Sequence, residues 1–310
     1  MGECKFTKCF QNSSNDEISL CDIGIKTLTL RSRRKGMKAN LREIIRSTQK
    51  YNFHAHTQWC DGRSTLEQIA MAAADAGFEH FGFTPHSPIP IPSPCNMSGA
   101  DLEAYRAEIE RVGKLLEGQI KLYRGVEIDF LGDDWGPASE LFANGDFDYT
   151  IGSVHFIPAQ DGTLIDIDGR FEHFKERMEQ HFHNDIRYVA ETFYSQSHRM
   201  LELGGFDILG HLDKISQNAS YFQPGIEEEG WYKRLVDDYI DHVAAVNPIV
   251  EINTKAREQH GRFFPHERYW RRLLDAGIDL CVNSDAHFAD RVNASRAEAF
   301  AMLEKQLASQ

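Results

Sequence analysis

Residues 51–87, YNFHAHTQWCDGRSTLEQIAMAAADAGFEHFGFTPHS, contain the unit from which the fold is read. YNFHAH at 51–56 is a short β-rich run, TLEQIAMAAADA at 65–76 carries apolar residues at helical spacing, and HFGFT at 80–84 is β-rich again. Ala76-Gly77 falls where the helical pattern stops, glycine supplying the left-handed terminal conformation before the next strand. Two strands joined by a helix make a parallel crossover.

The alternation continues outward from this stretch. Further strands are expected near 120–128, 147–154, 206–210, 248–253 and 279–283, with helices at 101–117, about 171–203, 228–246, 266–276 and 294–307. In the 228–246 helix Leu235, Val236, Tyr239, Ile240, Val243 and Ala244 form an apolar stripe suited to covering a sheet. Ala276-Gly277 repeats the helix-ending device. Such alternation implies parallel strands, arranged as an open doubly wound sheet or a closed barrel. No Gly-rich phosphate loop follows the first strand, so a dinucleotide fold loses its main support and an α/β barrel is preferred. The proline-rich IPIPSPC at 89–95 is a stiff loop over one end. No linker divides this region.

The chain has 310 residues, long enough for one barrel, and a formal charge of 34 minus 47, or −13. That charge argues against nucleic acid or an anionic membrane as the main partner. No apolar run approaches the roughly 20 residues of a membrane span. The six cysteines show no zinc-finger or disulfide-scaffold spacing, and reduced thiols in a cytoplasmic protein are expected. Residues 1–36 lack periodicity and end in Arg31-Ser-Arg-Arg-Lys35-Gly36 before Met37. A signal peptide would put its basic residues ahead of an apolar core, not after a mixed stretch. The expectation is a non-native or weakly ordered extension over 1–36, with Met37 the natural start and 37–310 a single barrel domain.

Residues of metal-ligand type gather at the C-terminal ends of the expected strands. His54 and His56 close the first strand and Asp61 follows it; His86 follows the second, Glu127 closes the third, His155 and His211 follow the fourth and fifth, and Asp285 and His287 follow the seventh. In a parallel barrel these ends meet at one face. Side chains two apart on a strand share a side, so His54 and His56 can grip one ion, as can Asp285 and His287 if their strand continues. HFH at 181–183 has the same spacing inside a helical pattern, where residues two apart diverge by about 200° and cannot chelate together. One histidine at a strand end is ordinarily just hydrogen-bonded, but convergence from six strand ends points to a multinuclear site. Imidazole and carboxylate donors suit Zn, Mn or Fe, and spacing does not choose among them.

The ordered set HAH, Asp61, TPHS, GVE, SVH, GHLD, SDAH resembles the polymerase and histidinol phosphatase (PHP) family, and within it the stand-alone histidinol-phosphate phosphatases. The resemblance implies a distorted TIM-like (β/α)7 barrel, two to three divalent ions and phosphoester hydrolysis. It places His54, His56, Glu127 and Asp285 on one ion, has Glu127 bridge to a second held with His155 and His211, and puts Asp61, His86 and His287 on the third. Thr84-Pro85-His86 keeps the family's histidine but lacks its neighbouring acid, which affects a supporting contact rather than the ligand.

A phosphomonoester dianion repels hydroxide, and divalent ions both neutralise it and supply the nucleophile. The expected reaction is in-line attack by a metal-held hydroxide, with Glu127, Asp285 and His287 acting through it. After the sixth strand, in EINTKAREQHGR, Lys255 and Arg257 are candidate phosphate contacts, with Arg187 and Arg199 weaker ones. Trp59 and Cys60 are expected to pack beside the first ligands.

The first reading is a histidinol-phosphate phosphatase with a small-molecule phosphate ester as substrate. Two alternatives remain. One is a PHP phosphoesterase acting on nucleotides or phosphodiesters, the other a non-catalytic metal-binding module, and retention of all nine ligand-type residues weighs against the latter.

Overall fold

Thr65 fixes where the first crossover helix begins. Its hydroxyl accepts from the Gln68 backbone N–H while the Gln68 side chain accepts from the Thr65 N–H, closing a capping box ahead of buried Leu66, Ile69, Ala70 and Ala73. The computed structural model describes residues 40–308, all within the compact unit Arg34–Gln310. The expectations for residues 1–36 and Met37 lie outside the described residues.

Helix α1 (Leu41–Ser47) leads into β1 (Tyr51–Asn52); α2 (Leu66–Asp75) connects to β2 (His80–Phe83), and α3 (Leu102–Leu115) to β3 (Lys121–Arg124). These strands form a parallel sheet, with Tyr51 opposite His80 and His80 opposite Lys121. The expected strand at 120–128 does not run through. It breaks at Gly125-Val126, and the chain enters a second sheet as β4 (Glu127–Asp129).

After α4 (Glu140–Ala143) comes β5 (Ile151–Ser153), then an antiparallel hairpin of β6 (Phe156–Pro158) and β7 (Leu164–Asp166) that the apolar pattern did not predict. Helices α5 (Phe171–His181) and α6 (Ile186–Leu203) precede β8 (Ile208–Leu209); α7 (Ile215–Phe222) and α8 (Gly230–Val246) precede β9 (Ile249–Asn253). Then follow α9 (Arg257–His260), α10 (Trp270–Asp275), β10 (Asp279–Asn283) and α11 (Arg296–Ala308). The second sheet is parallel in the order β4-β5-β8-β9-β10.

The single helix expected at 171–203 is therefore two. Phe182 ends α5, His183 and Asn184 take φ of 50° and 60°, and the Asp185 side chain caps α6 by accepting from the Tyr188 N–H. His181 is thus the last residue of α5 and His183 lies past its end, and both are exposed. Strand–helix alternation is observed, but hydrogen-bond ladders divide the strands between two sheets instead of closing one. The sheets touch through isolated parallel bridges at Ala55–Ala286 and His86–Glu127.

Packing ties the sheets together. Tyr149, just before β5, donates from its hydroxyl to the Phe53 carbonyl at 2.7 Å, and its ring occupies the space left by Gly82 and Gly125. On the outside, α6 buries Val189, Ala190 and Phe193 in the same core as Val236, Ile240 and Val243 of α8. Each valine, isoleucine or phenylalanine among them contributes about 1.5–3 kcal/mol on burial. The predicted stripe on the 228–246 helix is the face that packs. Among the described residues, no helix is long and apolar enough to cross a membrane, and Cys60, Cys95 and Cys281 are free thiols.

Candidate metal centre

The strand ladder of β1 stops at Asn52, yet the chain stays extended: His56 donates its backbone N–H to the Ala286 carbonyl at 2.8 Å, and Ala55 bridges Ala286. This keeps His54 and His56 on one side, with their Nε2 atoms 3.1 Å apart. Both rings are buried. Asp285 and His287 reach the same place by another route, because β10 ends at Asn283 and Asp285 takes a left-handed φ of 49°. The condition that their strand continue is not met. The turn still brings His287 Nδ1 to 3.5 Å from Asp285 Oδ1.

Glu127, first residue of β4, stands at the middle. Its Oε2 is 3.2 Å from His54 Nε2, 3.3 Å from His56 Nε2 and 3.2 Å from His86 Nδ1. Its Oε1 faces the other way, 3.0 Å from His211 Nε2 and 3.6 Å from His155 Nε2, and accepts the Ser153 hydroxyl at 2.7 Å. The two oxygens of one carboxylate thus serve two histidine groups. Asp61 completes the outer edge, 3.2 Å from His287 Nε2 and 3.9 Å from His86 Nε2. All nine residues singled out in the sequence therefore lie in one cluster, and they form overlapping groups such as His54, His56 and Asp285 or Glu127, His155 and His211.

Sequence reasoning missed the residues behind the histidines. Glu251, fully buried in β9, accepts from His54 Nδ1 at 2.6 Å, and Asn283 Nδ2 donates to the same oxygen at 3.0 Å. Asp129 accepts from His155 Nδ1 at 2.7 Å and also lies within one ligand group with His86 and His155. Each carboxylate fixes the proton on Nδ1 and leaves the Nε2 lone pair aimed inward. The signals were present: an acid inside the apolar run IVEIN, and a second acid two residues after Glu127 on the same face of its strand. Asn253 adds a third support, donating to Asp285 Oδ2 at 3.0 Å.

The donor set fits divalent cations. Asp61 Oδ1 and Asp285 Oδ1 are buried without a hydrogen-bond partner, and both face the cluster. Imidazole nitrogens 3.1 Å apart beside carboxylate oxygens offer lone pairs to a common point. Protons respond to the same concentration of acids. Burial disfavours the charged ring of His54, but Glu251, Glu127 and Asp285 outweigh it and raise its pKa to about 10. Burial likewise opposes protonation of His155, yet Glu127 and Asp129 bring it to about 9. His86, where burial dominates, is lowered to about 4. Against their own burial, Glu127 and Asp285 are held well below the usual carboxylate range, Glu127 by the surrounding histidines and Asp285 by Lys255 and His54.

The cationic candidates separate. Lys255 stands at the cluster, its Nζ 3.2 Å from His287 Nε2 and 3.6 Å from Asp285 Oδ2. Arg257 does not face the site. Its guanidinium is held by Glu298 at 2.6 Å and by the Gly261 carbonyl, stacked over Phe263. Arg187 pairs with Glu191 over the Trp231 ring, and Arg199 pairs with Asp133 and Glu202, so all three arginines are engaged elsewhere. Cys60 packs its Sγ 3.4 Å from His56 Nδ1, while Trp59 turns its indole N–H to Glu108.

Comparison with known proteins places the chain among relatives of similar length and fold. A Deinococcus radiodurans protein named "Probable histidinol-phosphatase" is 28% identical over 255 residues, 79% of this chain and 89% of its own length. The Bacillus subtilis "Histidinol-phosphatase" is 27% identical over 269 residues, 79% of this chain and 96% of its own. The crystal structure of Lactococcus lactis histidinol phosphate phosphatase, complexed with zinc, L-histidinol and phosphate, matches the fold with a TM-score of 0.64 at 20% identity. That match covers 83% of this chain and 94% of the other. The PHP domain is matched across residues 52–255, more than half of the chain, and the chain therefore belongs to the PHP domain family.

Proposed function

We propose that the chain is a metal-dependent phosphomonoester hydrolase acting on L-histidinol phosphate, releasing L-histidinol and phosphate, as a cytoplasmic step of histidine biosynthesis. The carrying observation is Glu127, whose two oxygens divide between His54, His56 and His86 on one side and His155 and His211 on the other. That division suits a carboxylate bridging two ions. The curated relatives of the same family carry the histidinol-phosphatase name.

Two to three ions are inferred, from Zn, Mn or Fe: one at His54, His56, Glu127 and Asp285, one at Glu127, His155 and His211, one at Asp61, His86 and His287. Bound there, divalent ions would neutralise phosphoryl oxygens and provide a nucleophile near neutral pH. The protein does the rest. Glu251 and Asp129 hold the imidazole tautomers, Asn253 orients Asp285, and Lys255 presents a cation beside Asp285 and His287 to a phosphoryl oxygen. Asp285 and His287, with Glu127, are the residues assigned to the reacting face. The strand system supports reading the fold as a (β/α)7 barrel. Counting β3 and β4 as one interrupted strand gives seven positions, and the Ala55–Ala286 bridge returns the last to the first.

Purified protein loaded with Mn or Zn, assayed for phosphate release from histidinol phosphate, AMP and a phosphodiester, tests this reading. Preference for histidinol phosphate is expected. Preference for the diester, or no turnover of any ester by metal-loaded protein, would remove it.

A further inference from the structure

His198 lies on α6 and His242 on α8, 44 residues apart in sequence, and packing brings their rings together. Tyr194 and Tyr239 set the register of the two helices. Their rings lie 5.7 Å apart, and the His198 ring meets that of Tyr239 edge to face at 5.1 Å. Both tyrosines are buried, so this face is firmly held. The two imidazoles are nearly parallel, 19° between planes, with centroids 5.0 Å apart and Nδ1 atoms only 2.8 Å apart. Those nitrogens are closer than stacked ring faces can approach, and the centroid separation exceeds theirs by one ring radius on each side. The rings therefore meet edge to edge, nitrogen facing nitrogen.

Two facing lone pairs repel unless something positive lies between them. A proton carried by one ring satisfies this, and so does a metal ion, because neutral imidazole is a ligand for divalent transition metals. The ion needs little room. Bonds of about 2.0–2.1 Å meeting at a tetrahedral angle put the nitrogens about 3.3 Å apart, an opening of about 0.5 Å that small side-chain rotations supply. Both histidines are half-buried, so an ion reaches them from solvent while their helices stay packed. Burial and the neighbouring His242 lower the His198 pKa, which keeps that ring neutral and able to bind. Asp238, one turn before His242, and Glu202, one turn after His198 and shared with Arg199, place negative charge near the pair.

We propose that His198 and His242 form a further metal site, a two-imidazole clamp for one divalent transition ion such as Zn, Ni or Cu, which ties α6 to α8. The pair shares no residue with the candidate metal centre, and it stands whether or not the chain hydrolyses phosphate esters.

Counting ions on the full-length protein tests this. After equilibration with micromolar zinc, native mass spectrometry should find one more zinc ion on the native chain than on His198→Gln or His242→Gln. In calorimetric titration that ion should bind at least about tenfold more weakly to each single variant. The double variant should be no weaker than either single one, since losing one imidazole already breaks the chelate. Circular dichroism like that of the native protein keeps the comparison on the ligands. Equal zinc counts in all four proteins would show a pair bridged only by a proton and overturn the proposal. An extra ion that survives in the variants sits elsewhere, as at the exposed His181 and His183, and overturns it too. Nitrogen NMR of the native protein decides without a variant: the Nδ1 signals of two histidines outside the nine-residue cluster should move with the last zinc bound, and signals that stay in place overturn the assignment.

Discussion

His54 has one ring nitrogen at 2.6 Å from Glu251 and the other at 3.2 Å from Glu127. A ring held this way cannot swing. The outer carboxylate decides which nitrogen carries the proton, and Asn283 and Asn253 saturate that carboxylate so that its lone pairs have no other use. Glu251→Gln keeps the shape but leaves an amide that must choose between donating to His54 and accepting from it. Metal affinity should fall about 10–100-fold, as for other partners of ligating histidines. Competition against a chromophoric chelator measures it; unchanged affinity with native circular dichroism would show that Glu251 is only a packed acid.

At the scale of elements, one aromatic side chain packs between the two sheets, adding to the bridges that join them. Tyr149 fills the space over Gly82 and Gly125, and a Cβ on Gly125 would sit 2.5 Å from its Cζ and 2.8 Å from the Thr84 methyl. Neither neighbour has room to retreat, since Tyr149 and Thr84 are fully buried. Gly125→Ala should therefore cost about 1–3 kcal/mol, the usual penalty of overpacking, read as a lower urea midpoint at unchanged slope. A midpoint equal to that of the native protein would mean the ring is not confined.

The same elements show what sequence could reveal. Crossover helices such as α2 and α8 were readable because an apolar stripe, and for α2 a glycine just past its end, act locally. The break between α5 and α6 was not, because Phe182 and Ile186 continue the apolar pattern across it while His183 and Asn184 turn the backbone. The β6–β7 hairpin escaped notice although Asp161-Gly162 marks its turn. Ligand-type residues at strand ends could be located since period-2 geometry and parallel topology send them to one face. Glu251 and Arg257 were misjudged or missed for a common reason. Their tasks are set by partners distant in sequence, His54 and Glu298, which spacing cannot supply.

For the whole molecule, a buried cluster of acids needs positive charge to stay folded, and protons or metal ions supply it interchangeably. His54 and His155 have folded pKa values of about 10 and about 9, above the ordinary 6.5, because neighbouring carboxylates outweigh their burial. Raised values of this kind give stability that is complete below pH 6.5 and is lost as pH climbs toward 9 and 10. Lowered groups such as Glu127, Asp285 and His86 change their contribution at or below 6.5, so they do not offset this loss. Metal-free protein should therefore lose thermal stability between pH 6.5 and 9, whereas bound cations replace the departing protons and bind more tightly as competition for the imidazoles fades. Saturation at about 100 times Kd adds about 2.7 kcal/mol to the folded state. The difference in Tm between zinc-loaded and chelator-treated protein should widen steadily across this pH range in scanning calorimetry. A constant difference would mean that the histidines are already neutral without metal, and that the acids of the cluster are balanced in some other way.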